Sequence, residues 1–315
     1  MRKRVEVAAA VVTRPDGSFL LGQRAPDTFY AGYWEFPGGK VEPGESAHAA
    51  LVRELEEELG ITVKHANPWI TREHLYEHAH VRLHFFEVTE WSGTPNGHVH
   101  SALEWQRADA LSVSPMLPAN GPILKSLRLP RTMGVTHAAE IGVDAQLAAL
   151  DAALAAGLRL VQIRDVTLAP EAREQLARES VARCHAHGAL AVVNGDAALA
   201  AAVGADGLHL RATQLAELSE RPALDWVGAS CHTRADLEAV ARLELDYALL
   251  GPVLPTATHP GAAGIGWSAF HMLTRNLPMP VFAIGGLIAT DMDTARRYGA
   301  HGIAAIRSVW HHRAA

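Results

Sequence analysis

The chain has 315 residues, a formal net charge of −6 and a pI near 6.3. Its one dense basic run, RKR at Arg2 to Arg4, is too short for a surface that grips nucleic acid, because phosphate contacts need a basic face. No apolar stretch is long enough to span a bilayer, and Cys184 and Cys231, far from any metal-type spacing, suit reduced thiols in a cytoplasmic protein.

The opening MRKRVEVAAAVV is basic and then apolar, but it runs into a strand and a polar turn rather than a signal peptide. VEVAAAVV and FLLGQR read as strands around an Asp16-Gly17 turn. Residues 39–61, GKVEPGESAHAALVRELEEELGI, follow. Glu54, Glu57 and Glu58 stand at i, i+3 and i+4, so a helix puts three carboxylates on one face. Leu51, Leu55 and Leu59 form a second stripe suited to a core, Ser46 can cap the start, and Gly60 suits the left-handed position past the end. Like charges at this spacing repel, with Arg53 the lone basic residue among Glu54, Glu56, Glu57 and Glu58. A hard divalent cation would relieve that repulsion, and Mg2+ favours oxygen ligands shared with substrate phosphates.

VRLHFFEV reads as a later strand, and SLRLPR at Ser126 to Arg131 closes the first domain without a flexible Gly/Ser tract. The length allows two domains, placed at 1–128 and 132–315. In the second, apolar runs alternate with Ala-rich helical stretches. The runs are TMGVTH, LRLVQIR, ALAVVN, DGLHL, DWVGASCH, DYALLGPV, VFAIGG and GIAAIRSVW. Continuous apolar runs suit strands buried on both faces, and eight of them point to a compact (β/α)8 barrel, with an open doubly wound sheet as the alternative. Barrel sites form at the C-terminal strand ends. Gly285-Gly286 closes the seventh run and Arg307-Ser308 sits in the eighth, while Gly251 to His259 forms a loop after the sixth. The two glycines could offer bare N–H groups to a phosphate or simply make a tight turn.

The 39–61 stretch resembles the Nudix box. The resemblance runs from about Val5 to Leu127 and looks like the MutT-type 8-oxo-dGTP diphosphatases, through LGQRA at Leu21 to Ala25, WEFPGGK at Trp34 to Lys40, Glu104-Trp105, and LPAN at Leu117 to Asn120. It implies a mixed sheet sandwiched by helices and a Mg2+-dependent (or Mn2+-dependent) hydrolase. Such an enzyme splits a nucleoside triphosphate into a nucleoside monophosphate and pyrophosphate in nucleotide-pool sanitation. Glu54, Glu57, Glu58 and the Gly39 carbonyl would hold the metal, Arg53 belongs to the catalytic set, and Glu45 would pair with Arg53. Glu104 would be a further ligand or the base; the base stays open between Glu54 and Glu104. Arg24, Phe36 and Asn120 match substrate-contacting positions, although Phe36 could be core and Asn120 a helix cap. The Trp91–Glu104 segment, with His98 and His100, is longer than usual and could reshape the base site.

Residues Met133 to Val309 resemble thiamine phosphate synthase and the thiazole tautomerase TenI. The matching stretches are VQIR at Val161 to Arg164, VNGD at Val193 to Asp196, ADGLHL at Ala205 to Leu210, GPVLPTATHPG at Gly251 to Gly261, and AIGG at Ala283 to Gly286. The departures fall on chemistry. Val166 and His259 stand where the synthase has lysines, and Arg211, Ala212 and Gln214 replace a glycine-glutamine pair and an aspartate that binds Mg2+. Those losses argue against synthase activity. Arg164, Asp196, Gly285, Gly286 and Ser308 remain as a phosphate-site set for a thiazole or thiamine phosphate ligand. His259 is a proton-carrier candidate for a TenI-like tautomerase, or one more loop residue among 18 histidines. The barrel is otherwise a non-catalytic binding module. A thiamine-related pyrophosphate is the alternative Nudix substrate.

Overall fold

The computed structural model describes residues 4–77, 79–256 and 263–310. It forms two compact units, with the change between Leu129 and Pro130.

The first unit contains β1 (Arg4–Val12), β2 (Phe19–Arg24), β3 (Trp34–Glu35), β4 (Gly38–Lys40), α1 (Ala47–Leu59), β5 (Thr62–Leu75), β6 (His80–Ser92), β7 (His100–Gln106) and α2 (Gly121–Leu127). One sheet has the order β4-β1-β6-β5, and a second has the order β3-β2-β7. The first sheet is mixed: β1 runs parallel to β6, while β1–β4 and β5–β6 are antiparallel. The apolar run of β1 is explained by burial on both faces. Ala8, Ala10 and Val12 pack with Leu51, Leu55 and Leu59 of α1, whereas Ala9 and Val11 pack with Ile123 and Leu124 of α2. The Asp16-Gly17 turn is present: Gly17 takes φ +81°, and its N–H donates to Arg14 O at 3.0 Å. Strands β4 and β7 lack a clear alternating signature, and only pairing to their neighbours reveals them.

The second unit contains β8 (Thr132–Val135), α3 (Ala138–Ile141), α4 (Val143–Ala155), β9 (Leu160–Ile163), α5 (Pro170–Ala186), β10 (Leu190–Asn194), α6 (Ala197–Ala202), β11 (Gly207–Leu210), α7 (Ala212–Glu217), β12 (Trp226–Cys231), α8 (Arg234–Arg242), β13 (Tyr247–Leu250), α9 (Gly266–Thr274), β14 (Val281–Ile284), α10 (Met292–Arg297) and β15 (Gly302–Ala305). Each of the eight apolar runs holds one strand. They close, all parallel, in the order β10-β11-β12-β13-β14-β15-β8-β9. The closed barrel removes the open-sheet alternative. Val161, Ile163, Ala191 and Val193 face outward to Leu176, Ala177 and Val181 of α5. Inside, Gln162 donates to Asn194 Oδ1 at 3.2 Å, and His209 lies 3.2 Å from the Tyr247 hydroxyl and 2.9 Å from Ser230 Oγ. Burial alone lowers the His209 pKa to about 3, so this imidazole is neutral and serves as a packed hydrogen-bonding group. No helix among the described residues is long and apolar enough to cross a membrane.

Candidate active site

Helix α1 is fixed at both ends and along one stripe. Ser46 Oγ accepts from Ala49 N at 3.1 Å, and Gly60 adopts φ +65° past the last turn. Leu51, Leu55 and Leu59 are fully buried, so the opposite face with Glu54, Glu57 and Glu58 is set by core packing. The end of the helix is laced by the segment before β7: Asn96 N donates to Leu59 O and His98 N to Glu58 O, each at 2.9 Å.

Strand β4 brings Gly38 and Gly39 against that acidic face. Gly38 N donates to Glu58 Oε2 at 3.3 Å. A Cβ on Gly39 would stand 2.2 Å from the Glu54 carboxyl carbon, and one on Gly38 would stand 2.1 Å from Ala8 O. Gly38 needs glycine for its close approach to the β1 backbone, whereas beside Gly39 the neighbour is the movable end of the Glu54 side chain. Arg53 spans the charges. It donates to Glu45 through Nε and Nη2 at 3.1 Å each, to Glu54 at 2.9 Å, to Glu57 at 3.2 Å and to Lys40 O at 3.1 Å. The Glu45 partnership expected from sequence is therefore formed, and with Glu54 it raises the Arg53 pKa above its ordinary value.

Glu58 is different. Burial first, with Glu54 and Glu35 adding repulsion, raises its pKa to about 7 against the pull of the Gly38 N–H and Arg24. A half-buried carboxylate facing other carboxylates, with one backbone donor, is short of positive charge. Glu54, Glu57 and Glu58 offer hard oxygen donors, so these residues fit a divalent cation of the Mg2+ or Mn2+ type. Among the described residues, no three acidic, histidine or cysteine side chains are already gathered as a ligand cluster. Glu104 is placed by the register of β7. It pairs with Leu21 across β2–β7, between Leu103 and Trp105, which pack toward the α1 core; alternation turns Glu104 to the other side.

Arg24 Nη1 donates to both carboxylate oxygens of Glu35, at 2.7 and 2.6 Å, and Arg24 Nε donates to Phe29 O at 2.7 Å. Burial raises the Glu35 carboxyl above its usual range despite Arg24. His100 lies beside this pair, with Nε2 3.9 Å from Glu35 Oε1. Its ring occupies the space over Gly22, where a Cβ would come within 2.3 Å. Its Nδ1 is buried without a hydrogen-bond partner among the described residues. Phe36 is in the core, 5.7 Å from both Phe19 and Phe85. Asn120 stands at the α2 cap position but makes no side-chain cap; its Nδ2 points to Trp34 O at 3.5 Å, which corrects the capping alternative. Tyr76 bonds the Ala119 backbone and is raised in pKa by burial, with Tyr30 at 5.5 Å and His74 at 4.4 Å between ring centres. Glu35, Tyr30 and Tyr76 beside Arg24 are not singled out by the sequence, whereas His100 belongs to the Trp91–Glu104 segment expected to reshape the base site. Alternation in WEF, which turns Glu35 away from the core that takes Trp34 and Phe36, was the one available signal.

At the barrel's C-terminal strand ends, Arg164, Ser230, His232, Thr256 and Gly285 line a cavity of about 170 Å³. A neighbouring cavity of about 250 Å³ is lined by Gly285, Gly286, Arg307 and Ser308. Arg307 and Ser308 lie just past β15 rather than within it. Ser308 Oγ donates to Leu287 O at 2.8 Å, and Arg307 pairs with Glu140 at 2.9 Å. A Cβ on Gly285 would meet Pro252 at 2.6 Å and one on Gly286 would meet Pro255 O at 2.4 Å, so the crossing 252–255 segment itself requires both glycines. His259, the proton-carrier candidate, lies outside the described residues.

The NUDIX domain family matches residues 2–127, and the thiamine monophosphate synthase family matches residues 132–309. The CTP pyrophosphohydrolase of Escherichia coli K12 is 41% identical over 124 residues, covering 39% of this chain and 91% of that protein. The 8-oxo-dGTP diphosphatase of the same organism is 34% identical over 126 residues, covering 40% and 98%. The chain belongs to the NUDIX and thiamine monophosphate synthase families, one in each half. The thiamine-phosphate synthase of Thioalkalivibrio sulfidiphilus is 36% identical over 187 residues, 58% of this chain and 89% of that protein.

The NUDIX half is thus a hydrolase domain with its box helix, glycine strand and Arg53 assembled. Its Arg24–Glu35 pair gives a direct expectation. Glu35→Gln should raise KM for a nucleoside triphosphate by about tenfold with a smaller change in kcat, since a charge-assisted pair that orients Arg24 is lost. Steady-state kinetics would check it; an equal fall in kcat and kcat/KM would place Glu35 in the chemical step instead.

Proposed function

We propose that the NUDIX domain hydrolyses nucleoside triphosphates to nucleoside monophosphates and pyrophosphate, with 8-oxo-dGTP as the preferred substrate. The observation that carries this reading is the acidic face of α1 locked against Gly38 and Gly39, with Arg53 bridging Glu45, Glu54 and Glu57. Water attacks a phosphorus of the diphosphate bridge, the bridging P–O bond breaks, and the water gives up a proton. Glu54 suits that proton: Arg53 donates to its carboxylate and the bare Gly39 leaves it room, while strand alternation turns Glu104 the other way. When bound, Mg2+ (or Mn2+) would be held by Glu54, Glu57, Glu58 and the Gly39 backbone and would neutralise charge on phosphate oxygens. Arg24, oriented by Glu35, and the Asn120 amide would position the nucleotide, since an amide both donates and accepts.

Pyrophosphate release from 8-oxo-dGTP, dGTP and CTP, with Mg2+ and with chelator, tests the proposal. Metal-dependent turnover with the highest kcat/KM for the oxidised nucleotide is expected. The 41% identity to a CTP pyrophosphohydrolase makes CTP the second reading, favoured if CTP is turned over fastest. If none of the three is hydrolysed, a thiamine-type pyrimidine diphosphate becomes the substrate to assay, as the second half of the chain suggests. That half we read as a binding site for a phosphorylated thiazole-type ligand, supported by the Arg164-lined cavity beside Gly285.

A further inference from the structure

We propose, on the reading of the barrel as a phosphate-ligand site, that Ser230 binds the ligand through a hydroxyl held as a hydrogen-bond donor by a buried relay from Tyr247 through His209. The atom it takes is an acceptor of the ligand, either a phosphate oxygen or an unprotonated ring nitrogen.

Strand register builds the relay. His209 on β11, Gly228 on β12 and Tyr247 on β13 stand in one row across three neighbouring strands. Gly228 leaves the middle of the row empty: a Cβ there would lie 2.2 Å from Tyr247 Cζ. The tyrosine ring therefore crosses over the glycine and stacks on the imidazole, 5.7 Å between ring centres. Its hydroxyl comes to 3.2 Å from His209 Nδ1. Ser230 lies two residues beyond Gly228 on the same face of β12, nearer the C-terminal strand ends. Its Oγ is 2.9 Å from His209 Nε2.

The proton positions follow from the donors and acceptors present. Tyr247 is fully buried, and burial raises its pKa, so the phenol keeps its proton. Among the described residues its hydroxyl has one partner, His209 Nδ1. If the imidazole carried its proton on Nδ1, the phenol would have to accept, and its own buried O–H would be orphaned. That cost disfavours the arrangement by about tenfold or more. The phenol instead donates to Nδ1, and the neutral imidazole carries its single proton on Nε2. Nε2–H then donates to Ser230 Oγ, which leaves the serine O–H for another acceptor. Ser230 lines the cavity of about 170 Å³ at the strand ends together with Arg164. Arg164 can only donate as well, so two donors in one cavity favour a ligand that offers lone pairs there, above all an anionic one.

Nitrogen NMR of the isotope-labelled full chain and calorimetric titration test this. His209 is identified by the shift of its Nε2 signal in Ser230→Ala, and the expected wild-type spectrum shows Nε2 protonated and Nδ1 bare. A proton on Nδ1 overturns the relay whatever the barrel binds. In Ser230→Ala the Kd for thiazole phosphate should rise by about tenfold, with an unchanged circular dichroism spectrum. An equal loss for inorganic phosphate identifies a phosphate oxygen as the acceptor; a loss for thiazole phosphate alone identifies the ring nitrogen. An unchanged Kd in folded Ser230→Ala overturns the contact while leaving the barrel as a phosphate-ligand site. Failure of the wild-type chain to bind either probe overturns the contact together with that reading.

Discussion

Glu58→Gln is expected to make the protein slower and, without metal, more stable. Turnover should fall by a hundredfold to a thousandfold, on the order of several kcal/mol of transition-state stabilisation, because the oxygen donor proposed for the cation loses its charge. The stability effect has the opposite sign. The folded-state pKa of Glu58 is raised from 4.5 to about 7, chiefly by burial and then by Glu54 and Glu35. A carboxyl whose pKa is raised on folding costs nothing below the unfolded value. The cost grows as pH rises from 4.5 and is complete above about 7. At pH 8 it amounts to at most about 3.5 kcal/mol, at roughly 1.4 kcal/mol per pKa unit. In chelator, therefore, Glu58→Gln should raise Tm at pH 8 and leave it unchanged at pH 4. Thermal melts at the two pH values check this, and an equal shift at both would show that lost repulsion is not the cause. Saturating Mg2+ should reverse the order at pH 8, with the wild-type chain the more stable, since only it gains the full binding energy.

Gly38→Ala should be the more damaging change, although it removes no polar group. The Cβ would lie 2.1 Å from Ala8 O and 2.9 Å from Ala9 Cα, both backbone atoms of the buried central strand β1. The glycine also has φ +140°, a conformation that side-chain-bearing residues rarely adopt. Overpacking and left-handed strain together cost about 2–5 kcal/mol. The relief available is to part β4 from β1, which would withdraw Gly38 N from Glu58 and Gly39 from Glu54. Hydrolysis should be abolished and the first thermal transition lowered. Near-wild-type activity in a soluble Gly38→Ala protein would show that β4 is not what positions the acidic helix.

Much of this was legible in the sequence because the signals are local. The three carboxylates, the leucine stripe and the caps of α1 all lie within residues 46–60, so helical periodicity alone places them. The eight barrel strands were legible because each is buried on both faces and so reads as a continuous apolar run. What the sequence hid depends on pairing between distant segments. His100 is 65 or more residues from Gly22, Arg24 and Glu35, and only the β2–β7 register puts it over Gly22. The orientation of Glu104 follows from which of its neighbours packs under α1, something motif spacing does not encode. The Asn120 amide looked like a cap by position, but its carbonyl-seeking bond to Trp34 is set by a strand 86 residues away.

The peptide that closes the end of α1 through Asn96 and His98 runs directly into the strand carrying His100. A length change there, of the kind by which loops acquire new substrates, would move the donors that cover Leu59 O and Glu58 O along with the group beside the Arg24–Glu35 pair. On the proposed function, nucleotide preference and grip on the cation share one stretch of backbone. Evolutionary drift in the first must be accompanied by adjustment in the second, so variants selected for a new base should commonly show an altered metal requirement as well.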